Sequence, residues 1–357
     1  MDTPPHPASL AFGARVGPVL SPGTSHVWSP HSLATVLCLL AHGARGRTRA
    51  QLEELLGADP ESRLAELDPA VADEPGLALA AANEFHVRAD ARLRPEFRAR
   101  LSERTDAGVY PADFAGDPSG VRARINDGVA RVTRGLITDL LAPEHVTPMT
   151  MVILLSVLWV KAEWVDAFRP ELTRERPFHT PDGTRAVPTM HRSGSMPYAE
   201  APGWRMVTLA GHHGLELDVL LPEGDQETPD SGDLAALNSR VRRERVQLAL
   251  PRFRVESRYR LRDPLTTLGS THLFGGDYGG ITSDPLVLSD IIHQAVFTVD
   301  ERGAEGAAAT VAVMPGSLPA PATAFTVDRP FVFLLRRRGS VLFQGRVTDP
   351  VDPGPAV

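Results

Sequence analysis

The sequence predicts a mixed α+β protein, and two observations support this prediction. Helical segments with recognisable start and stop residues occupy the N-terminal third, whereas β-branched and alternating apolar runs dominate the remainder. At 357 residues the chain can bury a large core, as one big domain or as two ordinary ones. No internal repeat divides it.

The first helices carry clear local signals. Residues 6–20 are weakly amphipathic and predict a helix. A second helix is predicted from Ser29, which can cap it, with Pro30 at its first position and Gly43 as its stop. Its apolar residues lie on all sides, so we expect it to be buried.

The remaining elements follow from hydrophobic period and turn residues. Thr48 is expected to open a short helix. We predict an acidic loop over Asp59–Gly76, a strand over Met149–Val160 and two strands within Trp204–Leu221. Farther along, we predict an amphipathic helix over Asp233–Arg245 with its arginines solvated, a short helix over Leu265–Phe274 and a strand over Leu286–Val299. The chain ends in a predicted hairpin whose turn, Arg336–Gly339, carries solvated arginines.

Composition excludes several classes of function. The net charge of −7 argues against a protein with a broad basic face for nucleic acid, and Lys161 is the only lysine. Cys38, the only cysteine, lies in an apolar run, so we expect a buried thiol and no intrachain disulfide. The arginine-, alanine- and proline-rich composition suggests a high-GC bacterial genome.

No segment is predicted to enter or cross a membrane. No window approaches 18 uninterrupted apolar residues, and the N-terminus lacks the basic flank and apolar stretch of a secretory signal. The sequence thus predicts a cytoplasmic protein, with an extracellular location as the alternative.

Enzyme motifs are missing from the sequence. It contains no His-Glu-x-x-His, no Gly-x-Ser-x-Gly, no phosphate-binding loop and no dinucleotide fingerprint. The pair His212-His213 has no cysteine or acidic residue at metal-ligand spacing. We therefore predict no enzyme, no metal site and no cofactor.

The stretch from Ile291 to Pro321 is the most unusual part of the chain. A good strand ends at Val299, small residues fill Gly303–Val313, and three prolines follow. Read as a strand, the small run has one face with Ala304, Gly306, Ala308, Thr310 and Ala312, and another with Glu305, Ala307, Ala309, Val311 and Val313. It could add to a crowded sheet; a flexible linker or a short helix are the alternatives.

The order of these pieces resembles the C-terminal region of the serpins. Residues 301–309 match the serpin hinge, Asp328-Arg-Pro-Phe-Val-Phe333 and Leu342-Phe-Gln-Gly-Arg-Val347 match the last two strands, and the Ser-Pro helix at Ser29 is an independent match. The resemblance covers about Ser29 to Pro350. It implies a strand over Ala78–Val87, a short helix at Leu93–Phe97 and a helix and turn over Ile125–Leu141. It implies a single serpin domain over residues 1–357, with eight or nine helices around three β-sheets and an exposed reactive-centre loop at about 301–324.

What the resemblance implies for function is a suicide inhibitor of serine proteases, which form a covalent complex with the cleaved loop. Its hinge would comprise Glu301, Gly303, Ala304, Glu305, Gly306, Ala307, Ala308, Ala309 and Thr310. Two alignments place the reactive bond at Gly316–Ser317 or at Ser317–Leu318. A small residue before the cut favours elastase-like or subtilisin-like targets over trypsin-like ones. The alternative is a non-inhibitory serpin that proteases cleave as a substrate.

The resemblance also assigns a region where the main sheet must open, with Ser29, Ser32, Ser156, Trp164 and His293. Ser156 replaces the usual Asn of the family, so the polar network is expected to differ. Gly128 replaces a Trp, which predicts a less stable helix. The basic helix of heparin-binding members is missing, so heparin is not expected to bind, and a monomer is expected.

Overall fold

The protein is described here by a computed structural model, which covers residues 5–67, 72–224, 226–304 and 322–354. These residues form eight α-helices and sixteen β-strands. The helices are α1 (Pro7–Leu20), α2 (Pro30–Gly43), α3 (Gly46–Leu56), α4 (Pro60–Glu66), α5 (Pro95–Ser102), α6 (Pro118–Val132), α7 (Ser231–Asn238) and α8 (Arg262–Thr267).

The strands take up most of the second half of the chain. They are β1 (His26–Trp28), β2 (Ala72–Glu74), β3 (Leu77–Arg88), β4 (Ala107–Ala112), β5 (Val152–Glu163), β6 (Arg174–Thr180), β7 (Gly183–Ala201), β8 (Trp204–Ala210), β9 (Leu215–Pro222), β10 (Arg242–Pro251), β11 (Phe253–Arg260), β12 (Leu288–Val299), β13 (Gly303–Ala304), β14 (Thr323–Thr326), β15 (Phe331–Arg337) and β16 (Ser340–Val347).

The strands form two sheets. A seven-stranded sheet has the order β11-β12-β5-β3-β2, with β13 on β5 and β4 on β3, and a nine-stranded sheet has the order β1-β16-β15-β9-β8-β7-β10-β14, with β6 on β7. The strands of the three expected sheets thus form two hydrogen-bonded sheets. The 19-residue strand β7 pairs with β6, β10 and β8 in turn, and so joins two expected sheets into one.

Two packed layers and their helices enclose the core. One apolar cluster fills the space between the two sheets, and a second surrounds the buried helix α2. A third cluster lies on the other side of the seven-stranded sheet, and it contains Ile125 and Val129 of α6 together with Leu155 and Val157 of β5 and Ile292 of β12. Helix α6 therefore packs on both of these neighbouring strands.

Helix α2 confirms its predicted start. The Ser29 side chain accepts a hydrogen bond from the Ser32 N–H, and Pro30 takes the first turn. Gly43 is the last residue of the helix. A glycine that stops a helix usually takes a positive φ, and Gly43 does not, so its role differs from the predicted one. A Cβ there would lie 2.1 Å from Ile281 Cγ1, so glycine is needed for close packing.

Several predicted boundaries are wrong. Helix α3 begins at Gly46, before Thr48, and the acidic stretch after Asp59 contains helix α4, which the Asp59 carboxylate caps through the Ser62 N–H. The helix expected to reach Arg245 ends at Asn238, and the chain re-enters a sheet at Arg242. The helix expected over 265–274 is α8, at Arg262–Thr267.

The predicted solvated arginines of the last hairpin also need correction. Arg336 is only 5 % exposed, and its Nε donates to Asp218 Oδ2 at 2.6 Å. Its guanidinium also pairs with Glu216. Arg336 is thus part of a buried ion-pair network between β15 and β9.

Candidate functional site

The boundary between β5 and β12, here called the seam, differs at its two ends. Over Val152–Leu158 of β5 the strands pair directly and in parallel with Leu288–Ala295 of β12. Beyond Leu158 and Ala295, no ladder pair joins the two strands in the described part of the chain. We call the paired part the closed end and the part from Trp159 to Glu163 the open end.

The two-residue strand β13 enters the seam at the open end. It runs antiparallel to β5, with Gly303 opposite Glu163 and Ala304 opposite Ala162. A Cβ at Gly303 would lie 2.0 Å from the Ala162 carbonyl oxygen. Only glycine therefore allows the chain to approach β5 this closely.

A tight chain reversal connects β12 to β13. Asp300 Oδ1 accepts hydrogen bonds from the backbone N–H groups of Arg302 (2.8 Å) and Gly303 (3.1 Å). The buried Trp164 ring donates from Nε1 to the Asp300 carbonyl at 3.1 Å, and the Trp164 N–H donates to the Arg302 carbonyl at 3.0 Å. These bonds hold the reversal against the end of β5.

Glu301 anchors the reversal through its buried side chain, which is 2 % exposed. Its Oε1 accepts a hydrogen bond from Thr173 Oγ1 at 2.6 Å and lies 3.6 Å from Arg252 Nη1. Arg252 also contacts Asp352. Since buried charges are stable only when they are paired, Glu301 depends on Arg252 and Thr173.

The closed end carries a buried polar cluster, which consists of Ser29, Ser32, Asn83, Ser156 and His293. His293 Nε2 accepts from the Ser29 N–H at 2.9 Å, and its Nδ1 lies 2.7 Å from the Ser156 carbonyl oxygen. Ser156 Oγ donates to Ser32 Oγ, which donates to Asn83 Oδ1, both at 3.0 Å. The cluster therefore connects α2 to strands β3, β5 and β12.

The protonation state of His293 follows from these partners. The Ser29 N–H requires a free electron pair on Nε2, so the neutral ring carries its proton on Nδ1 and donates it to the Ser156 carbonyl. Complete burial lowers the pKa of His293 to about 4, although the bond to Ser156 opposes the shift. His293 is therefore neutral at pH 7.

The structure brings four of the five predicted sheet-opening residues together. Ser29, Ser32, Ser156 and His293 share the cluster of the closed end, whereas Trp164 belongs to the open end. Asn83 completes the cluster and was not among the predicted site residues; an amide in the middle of an apolar strand was the available signal. Arg252 and Thr173 carried no comparable signal.

The predicted hinge is described only at its start. Glu301, Gly303 and Ala304 occupy the open end, as given above. The other hinge residues, Glu305, Gly306, Ala307, Ala308, Ala309 and Thr310, and the reactive-bond residues Gly316, Ser317 and Leu318, lie outside the described residues.

The described parts of the chain hold neither a metal-binding cluster nor a membrane-spanning helix. They contain no group of three or more histidine, cysteine or carboxylate side chains that could hold a metal ion. No helix among them has the length and apolar character to cross a membrane.

The seam defines a class of protein: one whose central sheet is closed at one end and has begun to accept a further strand at the other. The comparisons with known proteins agree with this class. The family model described as Serpin (serine protease inhibitor) matches residues 18–350. The chain therefore belongs to the serpin family.

Individual relatives align with nearly the whole chain. An uncharacterized serpin-like protein of Thermococcus kodakarensis is 31 % identical, over 91 % of this chain and 80 % of its own length. Leukocyte elastase inhibitor A of Mus musculus is 31 % identical, over 92 % of this chain and 94 % of its own. Serpin48 of Tenebrio molitor superposes with a TM-score of 0.82 at 27 % identity, covering 96 % and 97 % of the two chains.

Not every structural neighbour is described as an inhibitor. Human thyroxine-binding globulin in complex with its ligand superposes with a TM-score of 0.85 at 24 % identity, covering 97 % of this chain and 98 % of its own. At that identity the likeness shows the fold alone. The fold is thus compatible with inhibition and with other roles.

Proposed function

We propose that this protein is a suicide inhibitor of serine proteases and that residues 304–314 form the strand it inserts after cleavage. The observation that supports the proposal is the register of β13, which places Ala304 opposite Ala162 at the open end of the seam. A strand has begun there, and the residues that follow it are small.

The register fixes which side of the sheet each hinge residue would face. In an antiparallel pair, opposed residues lie on the same face. Leu158, Val160 and Ala162 of β5 point into the core between the sheets. Continuation of β13 would set Ala308 opposite Leu158, so Ala304, Gly306 and Ala308 would enter that core. Thr310 and Ala312 would lie on the same face farther along, opposite Ser156 and Leu154, where β5 faces the core around α2.

The same register assigns partners to two polar residues. Thr310 would lie opposite Ser156, where its hydroxyl could join the polar cluster of the closed end. Glu305 would lie on the outer face opposite Lys161, the only lysine of the chain. Each would meet a side chain of suitable chemistry, which favours insertion over a random linker.

The length of β5 agrees with the predicted reactive bond. β5 has 12 residues, Val152–Glu163, which would pair with Gly303 to Met314 in this register. Both alternatives, Gly316–Ser317 and Ser317–Leu318, come just after that length. At about 3.3 Å per residue, an acylated protease would be carried on the order of 40 Å.

The proposed sequence of events starts with attack on the reactive bond and formation of an acyl-enzyme. Cleavage frees the hinge, β5 and β12 separate along the seam, and the new strand completes the sheet. The native protein would then be kinetically stable, since insertion must displace the pairs and the polar cluster of the closed end. A bulky or charged inward residue would delay insertion and let hydrolysis win.

A pair of neighbouring substitutions tests the proposal. We expect the wild type to form a covalent band at the summed mass with pancreatic elastase or subtilisin on a denaturing gel. Ala308→Glu, which faces the core in the proposed register, should lose most of this band and be cleaved. Ala307→Glu, which faces outward opposite Trp159, should keep it.

The results also separate the alternatives. Equal effects of the two substitutions would refute the register, and a wild type that is cleaved without a covalent band would support a non-inhibitory serpin. Sequencing the released C-terminal peptide would choose between Gly316 and Ser317 as the residue before the cut. Trypsin should form no stable complex, and heparin should not accelerate the reaction.

A further inference from the structure

A cavity of about 380 Å³ lies between helix α6 and strands β3 and β4, on the side of the sheet away from the other sheet. Its floor is apolar and includes Ala112, Val121 and Ile125. Its volume is within the range of small-molecule sites, which are mainly apolar with a few convergent polar groups.

Gly128 opens this cavity from the helix side. A Cβ at Gly128 would meet nothing closer than Arg131 Nη2, at 4.0 Å. Gly128 lies four residues after Arg124 and three before Arg131, so these residues share one stripe of α6. The helix thus presents an empty position at Gly128, between Arg124 and Arg131 on the same stripe.

The opposite wall is aromatic. The rings of His86 and Tyr110, on paired positions of β3 and β4, stack with centroids 5.3 Å apart and an interplanar angle of 24°. His86 Nε2 lies 2.7 Å from a Glu84 carboxylate oxygen, so the Glu84 carboxylate already has a partner in His86. Tyr110 is 45 % exposed, which is a high fraction for a large ring. Part of its ring surface is therefore available to pack against another ring.

The charge of the cavity is concentrated on the helix side. Arg124 pairs with Asp117 at 3.2 Å, an exposed contact. Arg131 donates from Nε to the Asp127 carbonyl at 3.3 Å, and no described carboxylate lies within ion-pair distance of its guanidinium. Arg131 can therefore bind an anionic group at the mouth of the cavity.

We propose that this cavity binds a small aromatic carboxylate. Its ring would occupy the space beside Gly128 and pack on His86 and Tyr110, and its carboxylate would bind Arg131. The orientation follows from charge, because Glu84 on the strand side would repel the anionic end and the arginines of α6 would attract it.

The test uses 2-naphthoate, titrated into the whole protein by calorimetry without any protease, so that the result does not depend on inhibition. We expect saturable binding at one site. Gly128→Trp should fill the cavity and weaken binding by at least about tenfold, and Arg131→Gln should weaken it by about tenfold. Arg240→Gln, the same charge change at an exposed position after α7, should leave affinity unchanged.

A neutral analogue separates shape from charge. Naphthalene-2-methanol should bind about tenfold more weakly than 2-naphthoate to the wild type and be insensitive to Arg131→Gln. If circular dichroism shows that Gly128→Trp does not fold, Ala112→Leu narrows the cavity from its floor and should weaken binding as well.

Three results would overturn the proposal. They are no saturable binding of 2-naphthoate, unchanged affinity in a folded variant with a filled cavity, and equal affinity for the acid and the alcohol. The first two would show that the cavity is not a ligand site, and the last that its ligand is not an anion.

Discussion

The closed and the open end of the seam use the same two strands in opposite ways. At the closed end, β5 and β12 pair directly over Val152–Leu158, and a buried polar cluster connects them to α2 and β3. At the open end the same strands have separated, and β13 occupies the space next to β5. The reversal there is held by side chains, with Glu301 and Trp164 as its main contacts.

In the proposed mechanism, the difference indicates where resistance to strand insertion would be located. At the open end the sheet has already parted, and only local contacts of the reversal would have to adjust. At the closed end a new strand must break backbone pairs and replace partners of buried polar groups, which is costly. The cluster around His293 should therefore set the main barrier, and Glu301 and Trp164 should set smaller ones.

The largest effect should come from protonation of His293. The folded protein binds a proton there only near pH 4, whereas an exposed imidazole does so near 6.5. The unfolded chain takes up the proton first, so the contribution to stability is complete above pH 6.5 and is lost as pH falls towards 4. The full difference corresponds to about 3 kcal/mol.

Urea unfolding of the native protein at pH 7, 5.5 and 4 measures this loss. Burial also lowers the pKa of His26 and of His145, so the change of the wild-type unfolding free energy with pH contains their contributions. His293→Gln should remove most of the pH dependence of the unfolding free energy, whereas the contributions of His26 and His145 should remain. An unchanged slope in the variant would place the acid sensitivity outside the closed end.

Glu301→Gln should weaken the open end by about 2 kcal/mol. Removal of one member of a buried pair costs several kcal/mol, but the 3.6 Å separation and the second partner of Arg252, Asp352, reduce this value. In the proposed mechanism, inhibitory activity should then be lost faster at elevated temperature. The exposed Glu54→Gln should have no effect, and equal half-lives for both variants would contradict the anchoring role of Glu301.

Trp164→Phe should cost about 1 kcal/mol, because it removes the indole N–H that donates to the buried Asp300 carbonyl. Amide hydrogen exchange should then increase in the reversal at residues 300–303. Trp204→Phe is a matched control, because the Trp204 indole donates to Asp233 and not to the reversal at residues 300–303. Faster exchange in both variants would indicate a global effect.

Ser156→Asn should have the smallest effect and strengthen the closed end by about 0.5–1 kcal/mol. Asn83 lies opposite residue 156, and its buried Nδ2 has no hydrogen-bond partner among the described residues. An amide oxygen at 156 could accept from it. The urea midpoint should rise, whereas Ser193→Asn, at an exposed position, should leave it unchanged; a fall would show that the cluster has no room for an amide.

Local signals in the sequence predicted much of the fold and part of the site. Ser29 and Pro30 marked the start of α2, because a helix cap depends on residues nearby in the chain. The small residues from Gly303 onward indicated only that this stretch could add to a sheet. The buried role of Arg336 could not be predicted in this way. Its partners, Glu216 and Asp218, lie about 120 residues earlier, on β9.

Two other differences also have physical causes. The acidic composition after Asp59 indicated a loop, although Asp59-Pro60 is a helix start, and local capping prevailed over composition. Gly128 predicted only a weaker helix. The cavity beside Gly128 depends on how α6 packs on β3 and β4, and local sequence patterns do not predict the packing of segments that are distant in the chain.

The first two residues of β13 have a kinetic consequence. When a strand adds to a sheet, the first pair is unfavourable because it orders residues before neighbouring hydrogen bonds can offset the lost entropy. Later pairs then form more easily. Gly303 and Ala304 already make that first contact on β5 in the uncleaved chain. Insertion would therefore start without a nucleation step, and its race against hydrolysis of the acyl-enzyme would depend on the speed of propagation alone.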